Sequence, residues 1–87
     1  MSNLRVWNFT SPPKLIDHYP VESVDEAVTL INTLSEIQLK NDRIKDNAFG
    51  LEVFEDGEWC EWNNEDGDDI MALAELDHFD KMFDKEV

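Results

Sequence analysis

The stretch FGLEVFEDGEWCEW, Phe49 to Trp62, decides the fold because it reads as a single β-hairpin. Phe49, Leu51 and Val53 alternate with Gly50, Glu52 and Phe54, the dipeptide Asp56-Gly57 supplies a two-residue turn, and Glu58 to Trp62 returns. A two-residue turn pairs 55 with 58, 54 with 59, 53 with 60, 52 with 61 and 51 with 62. One face is then Phe49, Leu51, Val53, Cys60 and Trp62, a coherent core surface. A three-residue loop with Gly57 in the bulge position would shift the pairing by one and set Glu61 beside Leu51 and Val53, and burying that carboxylate argues for the first register. The opposite face holds Gly50, Glu52, Phe54, Trp59, Glu61 and Asn63. There Glu52 opposes Glu61, an unfavourable like-charge pair, and Phe54 opposes Trp59. If a helix packs on that face the aromatics are core; if it stays open they are anchors ringed by carboxylates, suited to a cationic, Arg-bearing surface.

Upstream of the hairpin, Ser23 followed three residues later by Glu26 is a capping box, with Asp25 also favourable in the first turn. Val24, Ala27, Val28, Ile31, Leu34 and Gln38 then recur at helical spacing, with Leu30 and Ile37 widening the stripe, which predicts a helix from Ser23 to Lys40. Asn41 to Asn47 is expected as a loop. Nearer the N-terminus, LRVWNFT (Leu4–Thr10) reads as a strand with Leu4 and Val6 on one face and Arg5, Trp7 and Phe9 on the other, stopped by Ser11-Pro12-Pro13. Lys14 to Val21 is extended or a short edge strand, since Pro20 cannot donate to a ladder. Downstream, the turn Asn63–Gly67 leads to a C-terminal helix carrying Asp68 and Asp69 in its first turn. Ile70, Leu73 and Ala74 share a face from which Leu76, Phe79, Phe83 and Val87 drift, so that helix is expected to bend or end near Asp77-His78, with the last ten residues loosely packed. The expected class is α+β: residues 1–87 as one small domain, an antiparallel sheet of the N-terminal strand and the hairpin packed against one long helix and a shorter C-terminal helix.

The chain has 87 residues, 21 acidic and 7 basic, for a net charge of −14 at pH 7, with 41% hydrophobic residues. That composition folds, and its charge excludes nucleic acid and anionic membranes as direct partners. The length leaves no room for a two-domain enzyme. The single cysteine, Cys60, makes no internal disulfide, Met1-Ser2-Asn3-Leu4 lacks the basic and apolar regions of a secretory leader, and no apolar run approaches a membrane span. A reducing cytoplasm is the expected location.

Acids cluster from Glu52 to Asp69: nine in 18 residues, with no Lys or Arg between Lys45 and Lys81. A calcium-binding loop fails the test, because placing Gly67 at the invariant position sets Trp62 first and Leu73 twelfth, and placing Gly57 there sets Phe54 third. Weak divalent-cation binding stays open, while Cys60, His18 and His78 lack zinc spacing. With two histidines, no phosphate loop and no nucleophile motif, the expectation is a non-enzyme without cofactor, metal or catalytic residues. The leading expectation is a protein-binding module whose partner-binding residues are Glu52, Phe54, Trp59, Glu61, Glu65, Asp66, Asp68 and Asp69, engaging a basic protein surface. A solvated surface that serves solubility is the alternative, in a monomer or in a homodimer formed through hairpin edges or the C-terminal helix.

Three segments, LRVWNFTSPP, SVDEAVTLINTLSEIQ and NAFGLEVFEDGEWCEWNNEDGDDI, give the chain the look of the short acidic proteins carried by phages and prophages of Gram-positive bacteria. The chain resembles that group over most of its length. The resemblance implies a host or defence protein as the partner, with DNA mimicry as one mode of inhibition, or a structural or accessory phage role; it assigns no residue.

Overall fold

A computed structural model describes residues 3–12 and 14–84, with side chains described as far as Asp77. The elements are β1 (Leu4–Ser11), β2 (Leu15–Val21), α1 (Val24–Leu39), β3 (Asp46–Glu55), β4 (Glu58–Glu61) and α2 (Ile70–Asp84). The strands form one antiparallel sheet in the order β2-β1-β3-β4, and both helices pack on the same side of it. The α+β class expected from sequence is the architecture observed.

The hairpin forms in the register expected, Glu52 with Glu61 through Glu55 with Glu58. Asp56 at φ 53° and Gly57 at φ 83° turn the chain with both central residues in the left-handed region, the conformation whose twist matches the flanking strands. The ladder continues one step past β4, where the Trp62 N–H donates to the Leu51 carbonyl at 2.9 Å.

α1 starts where the sequence places it. The Ser23 hydroxyl accepts from the Glu26 N–H at 3.1 Å, while the Glu26 carboxylate reaches back to the Glu22 N–H, one residue earlier than a standard capping box. Ala27, Val28 and Ile31 are buried from α1, Ile70 and Ala74 from α2, and they meet Val6, Val21, Phe49 and Leu51 from the sheet. Among these core groups sits one polar side chain, Asn8, 2% exposed. Its amide donates to the Ala48 carbonyl at 3.2 Å, and its oxygen accepts from Gln38 at 2.6 Å. The Gln38 oxygen in turn accepts from Asn47 at 2.9 Å, so a satisfied amide chain ties the last turn of α1 to β1 and β3.

Three expectations need correction. Asp46 and Asn47 belong to β3 rather than to the preceding loop, because β1 runs to Ser11 and pairs with them. Asp68 and Asp69 precede α2 instead of occupying its first turn: the Asp69 carboxylate accepts from the Ala72 N–H at 3.0 Å and caps the helix. α2 does not end at Asp77-His78 but runs to Asp84, and Asn32 of α1 clamps it by donating to the Ala74 carbonyl and the Asp77 carboxylate. The packing of the last ten side chains lies outside the described residues.

β2 is an edge strand. The bonds Trp62 to Leu51 and Phe54 to Asn3 show that odd residues of β3 direct their backbone groups to β4 and even ones to β1. Through the pairs Arg5 with Glu52 and Trp7 with Gly50, odd residues of β1 face β3 and even ones face β2. In β2, Leu15, Asp17, Tyr19 and Val21 therefore turn their backbone groups inward, and Ile16, His18 and Pro20 turn theirs to the free edge. The missing N–H of Pro20 falls at that edge and costs no ladder bond.

Candidate functional site

With both helices on one face, the other face of the sheet is left uncovered by either. Strand alternation and register place Ile16, His18 and Pro20, Arg5, Trp7 and Phe9, Ala48, Gly50, Glu52 and Phe54, and Trp59 and Glu61 on it. One cross-strand row reads Pro20, Arg5, Glu52, Glu61. Arg5 Nε donates to Glu52 Oε1 at 2.8 Å, and the guanidinium carbon lies 4.1 Å from the Trp59 ring centroid. Phe54 completes the group, its ring 5.2 Å from Trp59 and tilted by 56°. The like-charge opposition of Glu52 and Glu61 is thus relieved by a third strand, invisible when the hairpin is read alone. The Arg5 and Glu52 side chains are 26% and 24% exposed, so their attraction is partly screened and is worth about 1 kcal/mol or less.

The next row is His18, Trp7, Gly50. The Trp7 indole lies directly on the backbone at Gly50, where any Cβ would overlap the ring. Glycine is required here by close approach and not by a turn. Phe9 follows between Ile16 and Ala48. Trp59, Arg5, Trp7 and Phe9 therefore run as a stripe over the open sheet, each half-buried by its strand neighbours.

The expected partner-binding residues divide. Glu52, Phe54, Trp59 and Glu61 share the open face, with Phe54 44% exposed. Glu61 and Glu52 also line a cleft of about 190 Å³ with Trp7, Trp62 and Asp69, which brings Asp69 alongside them. Glu65, Asp66 and Asp68 lie outside that cleft, on an exposed turn. The Asn64 side chain holds this turn by accepting from the N–H groups of Asp66 and Asp68 at 2.9 and 2.8 Å. Arg5, Trp7 and Phe9 were not among the expected site residues. Their signal was present, since alternation in LRVWNFT sets all three on one side, but which side faces solvent depends on where the second helix docks.

Cys60 lies on the inner face opposite Val53, half-buried. Burial first, then the carboxylates of Glu58, Glu55, Asp56 and Glu52, push its thiol above the ordinary value. Among the described residues, no three of His, Cys, Asp and Glu are grouped to hold a metal ion. No helix among them is long and apolar enough to cross a membrane. Comparison with protein-family models, curated proteins and solved structures finds no match to this chain. What the arrangement can do chemically is hold a guanidinium between an indole face and carboxylates.

Proposed function

We propose that the chain is a non-enzymatic acidic binding protein that engages a basic, arginine-bearing surface of a partner protein through the open sheet face and the hairpin tip. The observation that carries this reading is the Arg5, Glu52, Trp59 group: the face already holds one guanidinium by stacking and a charge-assisted hydrogen bond. Around it, Phe54, Glu55, Glu58 and Glu61 are exposed, and Glu65, Asp66 and Asp68 extend the acidic surface toward α2. A field of one sign speeds encounter with a cationic partner and rejects anionic ones. The resemblance to small acidic phage proteins makes a host or defence protein that handles nucleic acid the natural partner, displaced from its own ligand by carboxylates standing in for phosphates.

The test is titration with an arginine-rich peptide, followed by tryptophan fluorescence at low and at physiological salt. Binding is expected to weaken as salt rises, and Glu61→Lys with Asp66→Lys is expected to weaken it at least tenfold. A lysine peptide of equal charge is expected to bind less well, because it stacks poorly on Trp59. Full-strength binding by the double charge-reversal variant, or no preference for arginine, overturns the reading.

A further inference from the structure

We infer that the free edge of β2 is a self-association site, at which a second copy of this chain pairs antiparallel to extend the sheet to eight strands. Two side chains on this edge, Leu15 and Ile16, are 52% and 59% exposed, one on each face of the sheet. Between them and Pro20, the edge presents the N–H and C=O of Ile16 and His18, groups that another strand would satisfy. Ile16 and His18 border the open face, but this edge lies at the opposite end of the sheet from β4 and the hairpin tip, where Glu52, Phe54, Trp59 and Glu61 serve the proposed function.

Charge selects a second copy as the occupant. Residues 1–21 carry two basic and one acidic side chain, while residues 22–87 carry five basic and twenty acidic, so the whole net charge of −14 lies outside β1 and β2. Pairing at the β4 edge would press Glu58 and Glu61 of one copy against those of the other. Pairing at β2 instead gives the strand order β4-β3-β1-β2 followed by its mirror, which sets the two β3 strands five strand spacings apart and the two β4 strands, which carry Glu58 and Glu61, seven. At about 4.8 Å per spacing the β4 separation is about 34 Å, several times the roughly 8 Å screening length of physiological salt. The edge that associates is the one edge of this sheet where like charges do not oppose it.

The register follows from the same groups. A twofold axis through Asp17 sets two carboxylates opposite one another. An axis through His18 brings Pro20, which has no N–H, opposite Ile16. An axis through Ile16 sets Ile16 against itself, Leu15 against Asp17 and Lys14 against His18, with no carboxylate opposite a carboxylate. The third arrangement is the one assigned.

Light scattering on the full chain over a concentration series tests this. The mass is expected to rise from 10.1 kDa toward twice that value. Ile16→Lys, which sets two ammonium groups on the axis, is expected to weaken the dimer at least tenfold with an unchanged circular dichroism spectrum. His18→Pro, which removes an edge N–H without taking a bond from β1, is expected to do the same. Ile37→Lys, at an exposed position on α1, is expected to leave the dimer intact. Added monovalent salt is expected to preserve or strengthen the dimer while weakening binding of the arginine peptide, so the two readings fail separately. A chain that stays monomeric at submillimolar concentration, or a dimer untouched by both edge variants, overturns the inference.

Discussion

The two faces of this sheet share the same strands and obey opposite rules. The inner face, Val6, Val21, Phe49 and Leu51, is covered by both helices, and the one polar side chain buried there among the described residues, Asn8, is hydrogen-bonded. The outer face, under neither helix, alternates aromatic rings with charged groups and leaves Phe54 44% exposed. Large aromatics on an uncovered face cost solubility and add little to folding, whereas the same rings on the inner face would be ordinary core. The difference separates the face that holds the molecule together from the face proposed above for a partner.

The sharpest break of that comparison is truncation on each face. Leu51→Ala, at the centre of the inner face, is expected to cost about 2–5 kcal/mol, a large share of the stability of a domain this size. Urea denaturation monitored by circular dichroism reads it. Asn8→Ala comes next: it strands the Gln38 amide that donates to the Asn8 oxygen, for about 1–3 kcal/mol. A loss at Asn8 as small as that of an exposed residue would show that the amide chain is ornamental and that the inner face is held by apolar contact alone.

Much of this was legible in the sequence because local signals and global packing agree. Asp56-Gly57 fixed the hairpin register, and Ser23 fixed the start of α1, since turn and cap chemistry act within four residues. The strand character of Asp46 and Asn47 was not legible, because their pairing with β1 is a long-range contact that their polar composition does not announce. Whether α2 bends or ends near Asp77 was not decidable from its apolar stripe, which drifts there, while Asn32 clamps the helix from a different element and α2 runs to Asp84. At the site, Glu52, Phe54, Trp59 and Glu61 could be placed on one face from alternation alone. Arg5 could not be joined to them until β1 was known to lie beside β3 instead of beside β4.

Smaller effects belong to the outer face. Gly50→Ala is expected to force the Trp7 indole off the β3 backbone and cost about 1–3 kcal/mol by overpacking. The same substitution in a Trp7→Ala background is expected to be nearly silent, and the tryptophan emission maximum reports the displaced ring. Equal costs in the two backgrounds would locate the penalty in the backbone instead. Arg5→Ala removes one half-buried, partly screened ion pair and one stack, for about 1 kcal/mol or less, with part of the loss vanishing at high salt. Arg5→Lys keeps the charge but loses the planar fork, so it recovers little of what rests on the Trp59 stack.

The smallest effect lies on the boundary between the faces, at Cys60. Its side chain belongs to the inner face, yet among the causes that raise its thiol above 9.0 are the carboxylates of the hairpin, Glu52 on the outer face included. Because the folded thiol holds its proton more tightly than the unfolded one, folding is unaffected below the ordinary value. As pH rises beyond it, the unfolded chain ionises first and stability falls until the folded thiol also titrates. Cys60→Ser is expected to flatten that alkaline decline, measured by urea midpoints across the range. The two causes separate kinetically: iodoacetamide should react with native Cys60 more slowly than with the unfolded chain at the same pH. About 1 M salt should then recover only the share due to the carboxylates, because burial is not screened. If salt recovers most of the rate, the charge of the hairpin dominates at Cys60; if almost none, the inner face protects the thiol by burial alone.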